Sequence, residues 1–146
     1  MRRRIITTVL CALTLTGAAP APPKRIVSLN VCADQYVLAL ADPGQIAALS
    51  PYGHDPEVSA AVGKARGFRT LKRPAEEVLA IRPDLLVGFP SGDGVVGAPP
   101  GRWRALGLAS ADSYAMILAQ IRQVAAAVGH PERGEAMIAK MKRELA

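Results

Sequence analysis

Pro74-Ala-Glu-Glu-Val-Leu-Ala-Ile-Arg-Pro-Asp-Leu-Leu-Val-Gly88 contains a helix, a turn and a strand in fifteen residues. Proline opens the helix where its missing N–H is not needed, and Glu76 and Glu77 put negative charge in the first turn, where the helix dipole favours it. The helix runs to Ile81, and Asp84-Leu-Leu-Val-Gly88 reads as a short buried strand. Working back, Arg25-Ile-Val-Ser-Leu29 is a first strand, apolar and β-branched. Asp34 to Ala41 carries Val37, Leu38 and Leu40 at helical spacing and stops at Asp42-Pro43-Gly44. Gln45 to Leu49 is a second strand. A loop with Pro51, Tyr52, Gly53, His54, Asp55 and Pro56 follows, then an expected short helix from Glu57 to Val62. Strand, helix, strand, helix, strand argues for an α/β fold with a parallel sheet covered by helices. Right-handed crossovers then place the loops after the strands along one sheet edge.

Beyond Gly88 the pattern becomes irregular. Pro99-Pro100 forbids a continuous helix, and Leu106-Gly-Leu108 passes almost directly into Ala109-Ser-Ala-Asp-Ser113, as though strand residues were missing. Ser113 then caps a helix to Val128, with Ile117, Ile121, Val124 and Val128 at spacings of three and four. Gly129-His130-Pro131 breaks it, and Pro131 starts another, with Met137, Ile138, Met141 and Leu145 as a stripe on one face. That stripe runs to the chain end without a glycine stop.

The other end has a different character. Arg2, Arg3 and Arg4 precede an uncharged apolar stretch, Ile5 to Leu15, and the small residues Thr16-Gly17-Ala18-Ala19. This is the layout of a secretory signal peptide, residues 1–18 with cleavage after Ala18. The apolar run of about 11 residues is well short of the roughly 20 needed to span a bilayer. A proline-rich leader, 19–24, follows. Cys11 lies behind bulky Leu10 within the apolar run and does not read as a lipoprotein cysteine. Export therefore leaves Cys32 alone, with no disulfide partner, no zinc cluster and no CxxC pair, and a buried apolar role is the expectation.

Composition narrows the function classes. The 146 residues are 50% hydrophobic, 21% charged and only 4% aromatic, with a formal charge of +6. This is a globular composition with room for one domain. Three of the positive charges are the N-terminal arginines, so the basic balance says little about nucleic acid. Trp103 between Arg102 and Arg104 has no interleaved aromatic partners and reads as a helix face with solvated arginines. Gly92-Asp-Gly-Val-Val-Gly97 matches GxGxxG, but Ala98-Pro-Pro-Gly101 prevents the helix that must open there, and five glycines between Gly88 and Gly101 make chance matches cheap. His54 and Asp55 beside Tyr52 lack a third ligand and read as a solvated loop pair, while His130 reads as structural. No paired carboxylates and no Ser/His/Asp set emerge. The expectation is no catalytic residue, no metal and no cofactor, and no enzyme.

Three stretches, Pro23-Lys-Arg-Ile-Val-Ser-Leu-Asn-Val-Cys-Ala-Asp34, Gln45-Ile-Ala-Ala-Leu-Ser50 and Ala75-Glu-Glu-Val-Leu-Ala-Ile-Arg-Pro-Asp-Leu-Leu86, resemble the N-terminal lobe of periplasmic solute-binding proteins of ABC importers for cobalamin, haem and ferric siderophores. The Arg-Pro-Asp-Leu turn into a strand is the most specific part. Ala119 to Arg143 is similar to the helices leading into the rigid helix that joins the family's two lobes. The resemblance implies a Rossmann-like three-layer lobe over 25–112 with a short parallel sheet, then a helical segment, 113–146, that begins the linking helix. It implies a ligand cleft at the C-terminal sheet edge, lined by Asn30, Cys32, Tyr52, Phe89 and Ser91, with Tyr52 the clearest match. It also implies that Glu76 faces arginines of the permease. The partners so implied are an iron chelate or corrinoid and the permease subunit, not nucleic acid, and the location is periplasmic.

The C-terminal lobe is absent, so a truncated receptor, a fragment or frame damage around Gly92 to Ala109 is expected. The rival readings are a free-standing exported α/β interaction module or a non-functional fragment, dimerising through the stripe of its last helix, and a small exported flavodoxin-like enzyme or cofactor domain.

Overall fold

The computed structural model describes residues 21–88 and 103–146. The strands β1 (Ile26–Ser28), β2 (Ile46–Ala48), β3 (Leu85–Gly88) and β4 (Arg104–Gly107) form one parallel sheet in the order β2-β1-β3-β4. Helices α1 (Val31–Leu40), α2 (Val62–Ala65), α3 (Pro74–Ile81), α4 (Tyr114–Val128) and α5 (Pro131–Glu144) accompany them. From β1 the chain moves outward to β2, then returns across β1 to β3. Right-handed crossovers in opposite directions put α1 and α3 on opposite faces.

The strand period makes the layers. Ile26, Leu85 and Val87 point to one face, under Val37 and Leu40 of α1, Ile121, Val124 and Val128 of α4, and Ile138 of α5. Val27 and Leu86 point to the other, with Ala48, Leu71 and Val78 of α3. Every residue of β1 and β3 is buried, whereas Arg104 and Ala105 on the edge strand β4 are exposed. Central strands of a parallel sheet are covered on both faces, which is why they read as apolar runs without alternation. Each fully buried aliphatic side chain contributes about 1.5–3 kcal/mol of transfer free energy.

Side-chain anchors fix the outer pieces. The Asp84 carboxylate accepts the backbone N–H of Lys24 (2.7 Å) and Arg25 (2.8 Å). Burial acts to raise its pKa, but these amides and nearby Arg25 outweigh it and hold it below the ordinary carboxylate value. Gln45 donates from Nε2 to the carbonyls of Pro23 (2.8 Å) and Val128 (3.0 Å). Pro23 is buried, so part of the proline-rich leader is built into the lobe. Gly129 ends α4 at φ +92°, and a Cβ there would stand 2.8 Å from Pro22 Cβ. Conformation and space both demand glycine. His130 serves structure: its Nε2 lies 3.0 Å from Asp42 Oδ2, and Arg133 donates to Asp42 Oδ1 (2.6 Å) and the Leu40 carbonyl (3.1 Å).

Several expectations need correction. The fourth strand is present, at Arg104–Gly107, immediately before the position where residues looked missing. Arg104 therefore lies in a strand and not on a helix face, while Trp103 packs against the α3-side core. The helix expected from Glu57 to Val62 is a run of turns, and α2 starts only at Val62. Gln45 belongs to a 3-10 turn, Pro43–Gln45, before β2. The stripe of the last helix faces its own lobe: Ile138 is buried and Met137 and Met141 pack beside it, leaving Leu145 exposed. That removes most of the surface on which terminal-helix dimerisation was to rest.

Candidate functional site

In a parallel α/β sheet, ligands meet the loops that follow the strands. After β1, Asn30 is the N-cap of α1, its Oδ1 accepting the Ala33 N–H at 2.9 Å. Gly88, at the end of β3, makes room for this turn, since a Cβ there would lie 2.8 Å from Leu29 Cβ and 3.5 Å from Asn30 Nδ2. Cys32 stands in the first turn of α1 and is exposed, not buried as a small apolar residue. The correction follows from helix phase: Ala33 and Val37 take the inward positions, which leaves position 32 facing outward.

Asn30, Cys32, Tyr36 and Gln120 face the β4–α4 loop, Leu108–Ala111, across a groove of about 500 Å³. Two of the expected cleft residues are thereby placed together, and two further residues join them. Tyr36 donates its hydroxyl proton to Gln120 Oε1 (3.1 Å), and Gln120 Nε2 donates to the Ala109 carbonyl (2.6 Å). Burial, and then nearby Cys32, push the Tyr36 phenol above its ordinary pKa, so it is a proton donor at neutral pH. Sequence reasoning missed both. Tyr36 lay inside a helix whose face had not been resolved, and Gln120 lies 84 positions away.

Tyr52 lies on the loop after β2, 57% exposed and not in the groove wall. That loop is held by Asp34, whose carboxylate accepts the Ser50 N–H (2.9 Å) and Oγ–H (2.6 Å). Phe89 and Ser91, like the glycine motif 92–97 and the signal peptide expected at 1–18, lie outside the described residues. His54 is bound through Nε2 to the Ala65 carbonyl (3.0 Å), and no group of three metal-ligating side chains occurs among the described residues.

Helix α3 runs antiparallel to the strand it feeds, which brings its first turn to the same sheet edge. Its two glutamates behave differently. Glu77 Oε1 accepts the N–H groups of Lys72 (2.7 Å) and Arg73 (2.8 Å), and Oε2 pairs with Arg69. The Arg73 amide, the Arg69 guanidinium and the Lys72 amide lower its pKa to about 2. Glu76 is 66% exposed and, among the described residues, pairs only with Arg73, at 3.1 Å. Glu77 holds the helix start, while Glu76 projects into solvent. A second and larger cavity, about 930 Å³, lies at the opposite edge, around Lys24, Arg25, Pro83 and Trp103. It is remote from the edge where the loops after the strands converge.

These features define a parallel α/β lobe with a groove along its C-terminal sheet edge. Comparison with known proteins places that lobe. No family model matches the chain. The curated vitamin B12-binding protein of Vibrio cholerae serotype O1 is 28% identical over 140 residues, covering 91% of this chain and 48% of the relative. A periplasmic heme-binding protein from Pseudomonas aeruginosa superposes with a TM-score of 0.61 at 21% identity, over 84% of this chain and 44% of that one. The FhuD protein from S. pseudintermedius gives 0.66 at 17% identity, over 87% and 44%. The fold is that of periplasmic binding proteins, and the chain spans about half the length of the curated relatives it matches.

Proposed function

We propose that the chain is the N-terminal lobe, with the start of the linking helix, of the extracytoplasmic solute-binding component of an ABC importer. Its ligand is a corrinoid or an iron chelate, either haem or a ferric siderophore. The observation that carries this reading is the match to a vitamin B12-binding protein over 91% of this chain but 48% of that protein. The groove at the C-terminal sheet edge supports it, because a ligand held between two lobes needs that edge open. In this reading Asn30, Cys32, Tyr52, Phe89 and Ser91 line the cleft and Glu76 docks on the permease. Residues 1–18 direct export to the periplasm, 19–24 form the leader, 25–112 the lobe and 113–146 the helical segment. The protein captures and delivers its ligand and performs no chemistry on it.

The test is to purify the product from the periplasm of its native host, then measure its intact mass and any bound corrin or porphyrin absorbance. A product of about twice this length with a bound chromophore or iron chelate supports the reading. A mature single-lobe product that takes up none of these ligands at any concentration defeats it. On its own, the 146-residue chain is expected to retain none of them at micromolar concentration, because one wall cannot exclude water from both sides of a ligand.

A further inference from the structure

One side chain that lines the groove, Gln120, also bridges its two walls. Gln120 is 8% exposed on α4, yet both ends of its amide are engaged. The Ala109 carbonyl can only accept, so the donor end Nε2 must face it at 2.6 Å, and Oε1 is thereby turned to the Tyr36 hydroxyl at 3.1 Å. The bridge joins three elements: α1 through Tyr36, α4 through Gln120 itself, and the β4–α4 loop through Ala109. Ala109, Ser110, Ala111 and Asp112 are all exposed, and the next anchors of this loop are Leu108, which is buried, and Ser113, which caps α4. Between those anchors, and among the described residues, the Gln120 amide is the side-chain hydrogen bond that restrains the loop.

We propose that Gln120 is the positioning residue of the groove: by clamping Ala109 against Tyr36 it fixes the separation between the β4–α4 loop and helix α1, and so sets the width of ligand that this sheet edge admits. The proposal rests on the solute-binding reading for the word ligand, but its mechanical content does not. Both bonds are part-buried and Ala109 is exposed, so losing one costs about 0.5–1.5 kcal/mol, which corresponds to roughly two- to twelve-fold in a local opening equilibrium at 1.4 kcal/mol per decade. The two bonds of the bridge are also separable. Gln120→Glu keeps an acceptor for the Tyr36 hydroxyl but removes the donor to Ala109. Tyr36→Phe removes the hydroxyl but leaves the Ala109 bond intact. Gln120→Met removes both at nearly constant volume.

The experiment is amide hydrogen exchange on the full chain, read at Leu108, whose N–H donates to the Gly88 carbonyl at the base of the loop, together with the rate at which Cys32, exposed in the groove, reacts with a disulfide reagent such as Ellman's. Gln120→Met and Gln120→Glu are expected to speed exchange at Leu108 by roughly two- to twelve-fold and to accelerate Cys32, with Tyr36→Phe giving a smaller change and the amides of β1, β3 and α5 unmoved. An unchanged Leu108 rate in Gln120→Glu overturns the proposal. So does acceleration spread equally over the lobe, which would make Gln120 a general core residue. Equilibrium dialysis of the complete receptor against cyanocobalamin and haemin adds the ligand arm. If wild type binds neither while the loop still responds, the solute-binding reading fails for these probes and the clamp stands. If wild type binds and the Gln120 variants bind with unchanged preference between the two probes, the clamp does not set ligand width and the proposal falls.

Discussion

The carboxylate of Asp34, on the first turn of α1, accepts both the backbone N–H and the hydroxyl of Ser50, at 2.9 and 2.6 Å, and neither residue has any exposed surface. This pair ties the start of the first helix to the end of the second strand, two neighbouring corners of the C-terminal sheet edge. It also explains Gly53, where a Cβ would stand 3.2 Å from Asp34 Oδ2 and 3.1 Å from Leu49 Cβ. Removing the carboxylate leaves the Ser50 donors buried without an acceptor. Asp34→Ala is expected to cost about 3 kcal/mol and Asp34→Asn about half as much, measured by urea unfolding. A loss under about 0.5 kcal/mol in both variants would mean that the pair does not hold this corner.

Acid should weaken the lobe, beginning at α3. Glu77 titrates at about 2 in the folded chain against an ordinary value of 4.5. A depressed folded pKa means that the carboxylate contributes stability at pH values above its ordinary value, and that this contribution disappears as the pH falls toward 2. Asp42, Asp84 and Glu135 are shifted in the same direction by their own partners. Thermal midpoints should therefore decline steadily below about pH 5. Glu77→Gln should lower the midpoint at neutral pH and converge on wild type near pH 2. A constant gap between the two curves would sink the assignment.

Helices α4 and α5 meet where Gly134 faces Ala125, and a Cβ at Gly134 would lie 2.7 Å from the Ala125 Cβ. The Arg122–Glu135 pair, at 2.6 and 3.1 Å, borders the same contact but is half exposed. Close packing decides here and the surface ion pair adds little. Gly134→Leu is expected to destabilise by about 2–3 kcal/mol, whereas Glu135→Ala should fall within about 1 kcal/mol of wild type. Differential scanning calorimetry of both variants checks the ranking, and an equal effect would contradict it.

Glu76 and Glu77 offer a paired control for docking. Glu76 is 66% exposed and pairs with Arg73 at the surface, so Glu76→Ala should leave stability within about 0.5 kcal/mol of wild type. If it docks on the permease, the same change in the complete receptor should reduce import while ligand binding stays as it was. Import unaffected by Glu76→Ala and Glu76→Arg would remove the docking role.

The helix at Pro74–Ile81 and the strand that follows it were legible because their signals are local: proline and two acids at a helix start, then an apolar run short enough to be a strand. The same holds for Ser113, whose side chain caps α4 by accepting the Met116 N–H at 3.3 Å. β4 was not legible. Arg-Ala-Leu-Gly has neither a period nor a β-branched residue, and it becomes a strand only because β3 offers it a register, Leu85 against Arg104 through Gly88 against Gly107.

What the sequence alone determined was the order of the first three strands with α1 and α3, and the sheet edge along which the loops after those strands lie, since both follow from backbone preferences over a few neighbouring residues. The tertiary structure decided the site itself. Asn30 and Cys32 were named from their loop, but Tyr36 and Gln120 join them only because α1 and α4 pack on the same sheet face. Glu76 and Glu77 are alike as letters, and only the fold of Arg69, Lys72 and Arg73 around Glu77 leaves Glu76 projecting into solvent beside Arg73. Contacts between residues far apart in the chain depend on how helices are packed, and that packing is set by the whole core at once and not by any one stretch of it.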